Sequence, residues 1–246
     1  MSPAPKYGRS PGFLEGAVLK LFTRAASVTA VEAVTDTFRL ITLSGEALQG
    51  AEWTPGQKVQ IQFGGWVQRT YTPISWDVRG GSTQILACMH GDSPGANWAR
   101  SLAPGDACSL FGPRGSLDLN ALGRPALLFG DETSFGLAHS LRYTPAGAQG
   151  VELVLEVASK DEAGVVLERL DVSNAHLVTR TAGDAHLSEV EARVAELLGK
   201  ASIEQFVLSG KSTSIQRLTR TLRQRGLSSR QIKARVYWAP GKKGLD

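Results

Sequence analysis

The sequence predicts a chain of two domains, a six-stranded antiparallel β-barrel followed by an α/β domain built on a parallel sheet. Two observations predict it. Up to about residue 122, short β-rich runs alternate apolar and polar residues and are punctuated by Gly, Pro and Asp; beyond it, apolar strand-like runs alternate with amphipathic stretches of helical period. The change falls near Ala121–Arg124 and sets domains at residues 18–122 and 123–246.

In the first domain the predicted strands are Ser27–Val34, Thr37–Leu43, Lys58–Phe63, Gln68–Thr72, Thr83–His90 and Ala107–Phe111. Six short strands with turn signals between them suit a small closed barrel. Residues 94–102 interrupt the alternation with helical spacing, and Pro104–Asp106 is a turn. In the second domain Pro125–Gly130, Val151–Val157, Ala175–Thr179 and Gln205–Gly210 are strands; 132–142, 187–199 and 212–225 are helices, the middle one with Leu187, Val190, Val194, Leu197 and Leu198 on one face. Such alternation is the pattern of βαβ units. Ligands of parallel sheets bind beyond the carboxyl ends of the strands. Here those ends are Gly130–Thr133, Ser159–Lys160, Arg180–Thr181 and Ser209–Ser212.

Of the 246 residues, 42% are hydrophobic and 20% charged, a balance that excludes intrinsic disorder. Cys88 and Cys108 lie in apolar runs without metal-ligand spacing and read as reduced core thiols. No apolar leader precedes the first strand and no run of membrane-spanning length occurs, so a soluble, cytoplasmic monomer without a membrane partner is expected. Charge is unevenly placed: Lys211–Asp246 carries ten Lys/Arg against one acid, on an otherwise acidic body. A basic end of this kind suits an anionic ligand or a solvated helix face.

The chemistry concentrates in five strings. Arg69-Thr-Tyr-Thr-Pro73 lies on a barrel strand, with Arg69 and Tyr71 on one face and Thr70 and Thr72 on the other. Arg69 offers forked donors to a pyrophosphate, Tyr71 a flat ring to an isoalloxazine, and Thr72 a hydroxyl and amide to a flavin nitrogen. His90-Gly-Asp-Ser-Pro-Gly-Ala-Asn-Trp-Ala99 leads from a strand into a short helix, whose N-terminal N–H groups can face a phosphate. Phe111-Gly-Pro-Arg-Gly-Ser116 is a rigid turn presenting Arg114, Phe129-Gly-Asp-Glu-Thr-Ser134 is a strand-to-helix turn, and Val236-Tyr-Trp-Ala-Pro-Gly-Lys-Lys-Gly244 lies near the end.

In this order the five strings resemble the siderophore-interacting protein family, FAD-dependent ferric-siderophore reductases of the ferredoxin-reductase superfamily, over about residues 20–244. The resemblance implies a FAD-binding barrel and an NAD(P)H-binding α/β domain. It places flavin contacts on Arg69, Tyr71, Thr72, His90, Gly91, Gly95, Ala96 and Trp98, with Tyr71 and Thr72 beside the reacting ring. Nicotinamide contacts fall on Gly130, Asp131, Glu132, Thr133 and Gly210. Members usually carry an acid after that glycine and a Ser at Ala96; here Lys211, with Lys160, supplies cations suited to a 2′-phosphate. Arg114, Lys242 and Lys243 form a basic mouth for an anionic ferric chelate, and the family's basic substrate-facing position aligns near Gln60. The implied reaction passes hydride from nicotinamide to flavin and single electrons to Fe(III), with iron arriving only as part of the substrate.

Other readings carry less. Ser209-Gly-Lys-Ser-Thr213 has the context of a phosphate-binding loop, but Gln205 stands where the first Gly is needed. The basic run Arg217–Arg235 has no aromatic residue for stacking bases, which argues against nucleic acid, and Ile215, Leu218 and Leu222 form the core face of its helix. The four histidines show no metal-binding spacing, so no resident metal is expected. Trp53, Trp66, Trp76 and Trp98 are either core or flavin-pocket residues. A flavin reductase of an iron–sulfur protein or quinone, a reductase fed by reduced ferredoxin, and a flavin- or siderophore-binding protein without turnover remain alternatives.

Overall fold

A computed structural model describes residues 23–64, 67–119, 121–122, 125–147, 150–200 and 203–241. The chain divides into two compact units, Met1–Ser116 and Leu117–Asp246, a few residues before the boundary read from the sequence.

Among the described residues the first unit holds seven strands: β1 (Arg24–Ala33), β2 (Phe38–Ser44), β3 (Lys58–Gly64), β4 (Val67–Tyr71), β5 (Pro73–Asp77), β6 (Ser82–Cys88) and β7 (Ala107–Arg114). They form one antiparallel sheet ordered β4-β3-β7-β1-β2-β6-β5. Its two edge strands, β4 and β5, are consecutive in the chain and separated only by Thr72, so the sheet curls until its edges meet at one residue. The sequence predicted six strands; β5 is the addition. Pro73 hides it, because proline lacks a ladder donor and is tolerated only at such positions as the first residue of an edge strand. Alternation does the rest: Thr83, Ile85 and Ala87 of β6 point inward, as do Ile41 and Leu43 of β2, which pair with Ile85 and Thr83. Ile41, Val59, Ile61, Ile85 and Leu110 are fully buried, each contributing roughly 2 kcal/mol by leaving water.

One helix, α1 (Pro94–Ser101), packs Ala96, Trp98 and Ala99 into this core. Ser93 caps it, accepting the Ala96 N–H at 3.2 Å, and Pro94 occupies the first turn where no donor is needed. Arg39 closes the other end on the carbonyls of Ala99 and Arg100, at 2.8 and 2.9 Å. Cys108 is buried in the core, which pushes its thiol up to about 12, whereas Cys88 is half-buried.

The second unit alternates β8 (Ala126–Gly130), α2 (Phe135–Leu141), β9 (Val151–Val157), α3 (Lys160–Arg169), β10 (Ala175–Thr179), α4 (Leu187–Lys200), β11 (Gln205–Lys211), α5 (Ser212–Gln224) and β12 (Ile232–Trp238). All five strands are parallel, in the order β10-β9-β8-β11-β12. β8 is central and buried along its whole length. The chain runs outward from it through β9 and β10, then returns to β11 on its other side, so the switch point lies between β8 and β11. α3 and β12 went unpredicted. α3 has a weak apolar stripe (Ala163, Val166, Leu167), and β12 is a half-buried edge strand interrupted by Lys233 and Arg235. Ile215, Leu218 and Leu222 of α5 are core, as its spacing predicts. Among the described residues no helix is long and apolar enough to cross a membrane.

Candidate functional site

In the first unit the Arg69–Thr72 string occupies β4 and the residue after it. Arg69 and Tyr71 pair in register with the fully buried Ile61 and Val59, so their face of β4 turns toward the barrel core. The Tyr71 ring packs there beside buried Trp98, with centroids 6.1 Å apart and planes tilted by 40°. Burial pushes its hydroxyl well above the usual phenol range. Arg69 is half-buried and donates to the carbonyl of its neighbour Gln68 at 2.8 Å; among the described residues no carboxylate pairs with it.

The loop from His90 to Ser93 is fastened from behind. Arg100 donates to the carbonyls of Met89 and Gly91, both at 2.7 Å, and Asn97 donates to Asp92 at 2.7 Å. His90 and Gly91 are exposed, whereas Gly95, Ala96 and Trp98 are buried in the helix packing. Trp76 is core as well, its indole N–H on the Leu48 carbonyl at 3.1 Å, and Trp66 lies outside the described residues.

Arg114 lies at the end of β7, over the Phe111 ring at 4.9 Å and in register with Lys58. Its guanidinium donates to Gln60 Oε1. Among the described residues, Gln60 Nε2, Arg114 Nε and Trp53 Nε1 are buried donors without an acceptor. Such donors suit an acceptor-rich ligand. Lys242 and Lys243, the other cations expected at this mouth, lie outside the described residues.

In the second unit the residues expected to meet the nicotinamide gather at the switch point. Asp131 follows β8, is fully buried, and caps the short helical turn after it. Its Oδ1 accepts the Thr133 N–H at 2.9 Å and hydroxyl at 2.5 Å, and its Oδ2 accepts the Trp238 indole N–H at 2.7 Å. Burial pushes its carboxyl up to about 6 against the pull of these hydrogen bonds. Gly210 has φ +101°, and a side chain there would run into the Asp131 carboxylate. Gly130 is similarly confined, since a Cβ would lie 2.6 Å from Ser134 Oγ. Ser209 donates to that same hydroxyl at 2.8 Å, tying the ends of β11 and β8 together.

Glu132 accepts the Ala158 N–H and the Arg180 guanidinium, both at 2.6 Å. Lys211 pairs with Asp184 at 2.5 Å, and Thr213 donates to the second oxygen of Asp184 at 3.0 Å. These bonds hold the Asp184 carboxyl below the usual carboxylate range. Lys211, expected to face a 2′-phosphate, is thus paired with a carboxylate from the loop after β10, while Lys160 is exposed at the start of α3.

Sequence reasoning passed over the polar network behind these residues. Glu156 of β9 is fully buried and accepts the Ser214 hydroxyl at 2.8 Å and 3.0 Å and His186 Nε2 at 2.8 Å. His186 Nδ1 accepts the Thr181 N–H at 3.2 Å, so the proton of the neutral ring lies on Nε2. The available signal was one glutamate inside the apolar run Val151–Val157. Asp184 and Arg180 gave none, because irregular loops bring them in. Among the described residues no cluster suited to a metal occurs.

Solved structures share this architecture. A siderophore utilization protein from T. fusca superposes with a TM-score of 0.69 at 21% identity, over 91% of this chain and 95% of that one. The siderophore-interacting protein of Acinetobacter baumannii gives 0.71 at 18%, over 89% and 91%. A ferredoxin NADP+ reductase from Neisseria gonorrhoeae, with FAD and NADP bound, gives 0.69 at 16%, over 88% and 99%. At these identities the likeness shows the fold. Among curated proteins none matches. Residues 65–117, which carry the Arg69–Thr72 string, match the model of the siderophore-interacting FAD-binding domain, and residues 124–241, with the Asp131–Trp238 pair, match that of the siderophore-interacting protein, so the chain belongs to the siderophore-interacting protein family.

Proposed function

We propose that this flavoprotein carries electrons from NAD(P)H to Fe(III) in a ferric siderophore, releasing iron as Fe(II). The observation that carries the reading is the match of residues 65–117 to a siderophore-interacting FAD-binding domain, around an Arg69 that no carboxylate neutralises among the described residues. These residues fit FAD: Arg69 retains donors for a pyrophosphate, and the exposed Gly91 loop leads into a capped helix N-terminus. In this reading Arg69, His90, Gly91, Gly95 and Ala96 hold the cofactor, while Tyr71, Thr72 and Trp98 orient its ring system. When bound, FAD supplies the change from hydride to single-electron chemistry. Gly130, Asp131, Glu132, Thr133, Gly210 and Lys211, with Lys160, receive the dinucleotide at the switch point. Arg114 is the cation offered to the ferric chelate, and the donors of Gln60 and Arg114 that find no acceptor among the described residues favour an oxygen-rich substrate. No protein nucleophile is required.

The test is the visible spectrum of the purified protein under anaerobic conditions. A flavin band that bleaches with NADPH or NADH and returns with a ferric siderophore is the expected result. Failure to take up FAD, or a band that neither nucleotide bleaches, overturns the reading.

A further inference from the structure

The Trp238 ring at the end of β12 is held edge-on by a buried carboxylate. Its N–H donates to Asp131 Oδ2 at 2.7 Å, and Asp131 is itself pinned through Oδ1 by Thr133. The indole therefore has one orientation, and Gly210 leaves that carboxylate room. Negative charge against the N–H edge strengthens the electron-rich face of an indole, and such a face attracts cations. One cation is already near: Lys211 Nζ lies 5.8 Å from the ring centroid, at the long end of a cation–π contact, while its ion pair with Asp184 measures 2.5 Å. The surrounding charges leave an excess of the negative sign. Glu132 pairs with Arg180, Asp184 with Lys211, and Glu156 faces His186, so among the described residues Asp131 is the carboxylate of this group without a salt bridge.

We propose that Asp131 and Trp238 together form a receptor for a cationic aromatic ring, so that this site grips the oxidised, pyridinium form of a nicotinamide more tightly than the neutral reduced form. The step from ring receptor to nicotinamide rests on the reading of the switch point as the dinucleotide site. A dihydronicotinamide that gives up hydride, with its electron pair, to the flavin becomes a cation, and the pair then faces a ring of opposite charge. Asp131 is in this respect a positioning residue, acting through Trp238.

The FAD-loaded protein can be titrated with 1-methylnicotinamide, a permanent pyridinium, and with uncharged nicotinamide, following each ligand by NMR. The cation is expected to bind about fivefold more tightly. Trp238→Leu should abolish the preference, while Trp238→Phe, which keeps a ring but loses the N–H, and Asp131→Asn, which removes the charge, should reduce it. Equal affinities in the wild type, or a preference that survives Trp238→Leu, overturn the proposal. If Trp238→Leu does not fold, the wild-type comparison and an unreduced preference in Trp238→Phe serve the same purpose. The two readings fail separately. Bleaching by NAD(P)H without a cation preference removes this proposal alone, and a cation preference without bleaching removes the dinucleotide reading alone.

Discussion

Asp184 Oδ1 lies 2.5 Å from Lys211 Nζ and joins the loop after β10 to the first residue before α5. The same carboxylate accepts the Thr213 hydroxyl at 3.0 Å, so an acidic side chain of the protein meets the start of α5, where an incoming phosphate would otherwise find a lysine. Asp184→Asn should cost about 1 kcal/mol at pH 7 by urea denaturation. Because the folded-state carboxyl titrates below its ordinary value, that contribution is present above the unfolded pKa and fades as pH falls through the folded one, so the two proteins should converge in acid. The released Lys211 should also raise kcat/KM for NADPH relative to NADH several-fold; an unchanged ratio would separate Lys211 from phosphate recognition.

His186→Ala leaves the Glu156 carboxylate buried with, among the described residues, only Ser214 as a side-chain donor. Removing one partner of a buried pair costs about 3 kcal/mol or more. The expected result is a large drop in the denaturation midpoint, with a smaller drop for the double variant His186→Ala/Glu156→Gln, which no longer buries the charge. Equal losses would assign the effect to packing.

Gly210→Ala combines an unfavourable positive φ with a Cβ pressed against the Asp131 carboxylate. It should destabilise the second unit by about 2 kcal/mol or more. Displacement of Asp131 should also alter the near-ultraviolet circular dichroism of Trp238, a difference to be checked against Trp238→Phe.

Asp131 titrates in the folded protein at about 6, above its unfolded value of 3.8, because burial disfavours its charge. Between these values the folded state holds the extra proton, and the stability due to this group declines as pH rises through the window. Asp131→Asn should accordingly gain on the wild type by about 2–3 kcal/mol between pH 3.5 and pH 7. A stability difference independent of pH would show that the three donors around Asp131 outweigh its burial.

Arg69→Ala should weaken FAD binding by about ten- to a hundredfold, the effect of losing charge-assisted hydrogen bonds to a pyrophosphate. Equilibrium dialysis against FAD measures this directly. Arg69→Lys should recover only part of the loss, because a point charge does not reproduce the fork.

The change of hydrophobic period near residue 122 located the two architectures, because barrel strands alternate while βαβ units carry continuous apolar runs such as Ala126–Gly130. Gly130, Asp131 and Gly210 were legible as strand tips, and the structure brings them together. What the pattern hid was polar and long-range. β5 begins at a proline, β12 carries Lys233 and Arg235 on an edge, and the partners Asp184–Lys211, Glu156–His186 and Asp131–Trp238 are separated by 27, 30 and 107 residues. Periodicity reports which face of an element is apolar; it carries no information on which loop carboxylate will meet which distant donor.

The single residue between β4 and β5 sets a limit on how such a chain can vary in length. Most connections of a barrel tolerate inserted residues, since a longer loop still returns the next strand to the same partner. Thr72 has no such latitude, because it follows an edge strand aligned on β3 and precedes one aligned on β6. One extra residue there would oblige either strand to slip by a position, turning Arg69 and Tyr71, or Ile74 and Trp76, to the opposite side of the sheet. Among related chains, insertions and deletions should therefore collect elsewhere, and the distance in sequence from Arg69 to Trp76 should stay constant even where the residues themselves differ.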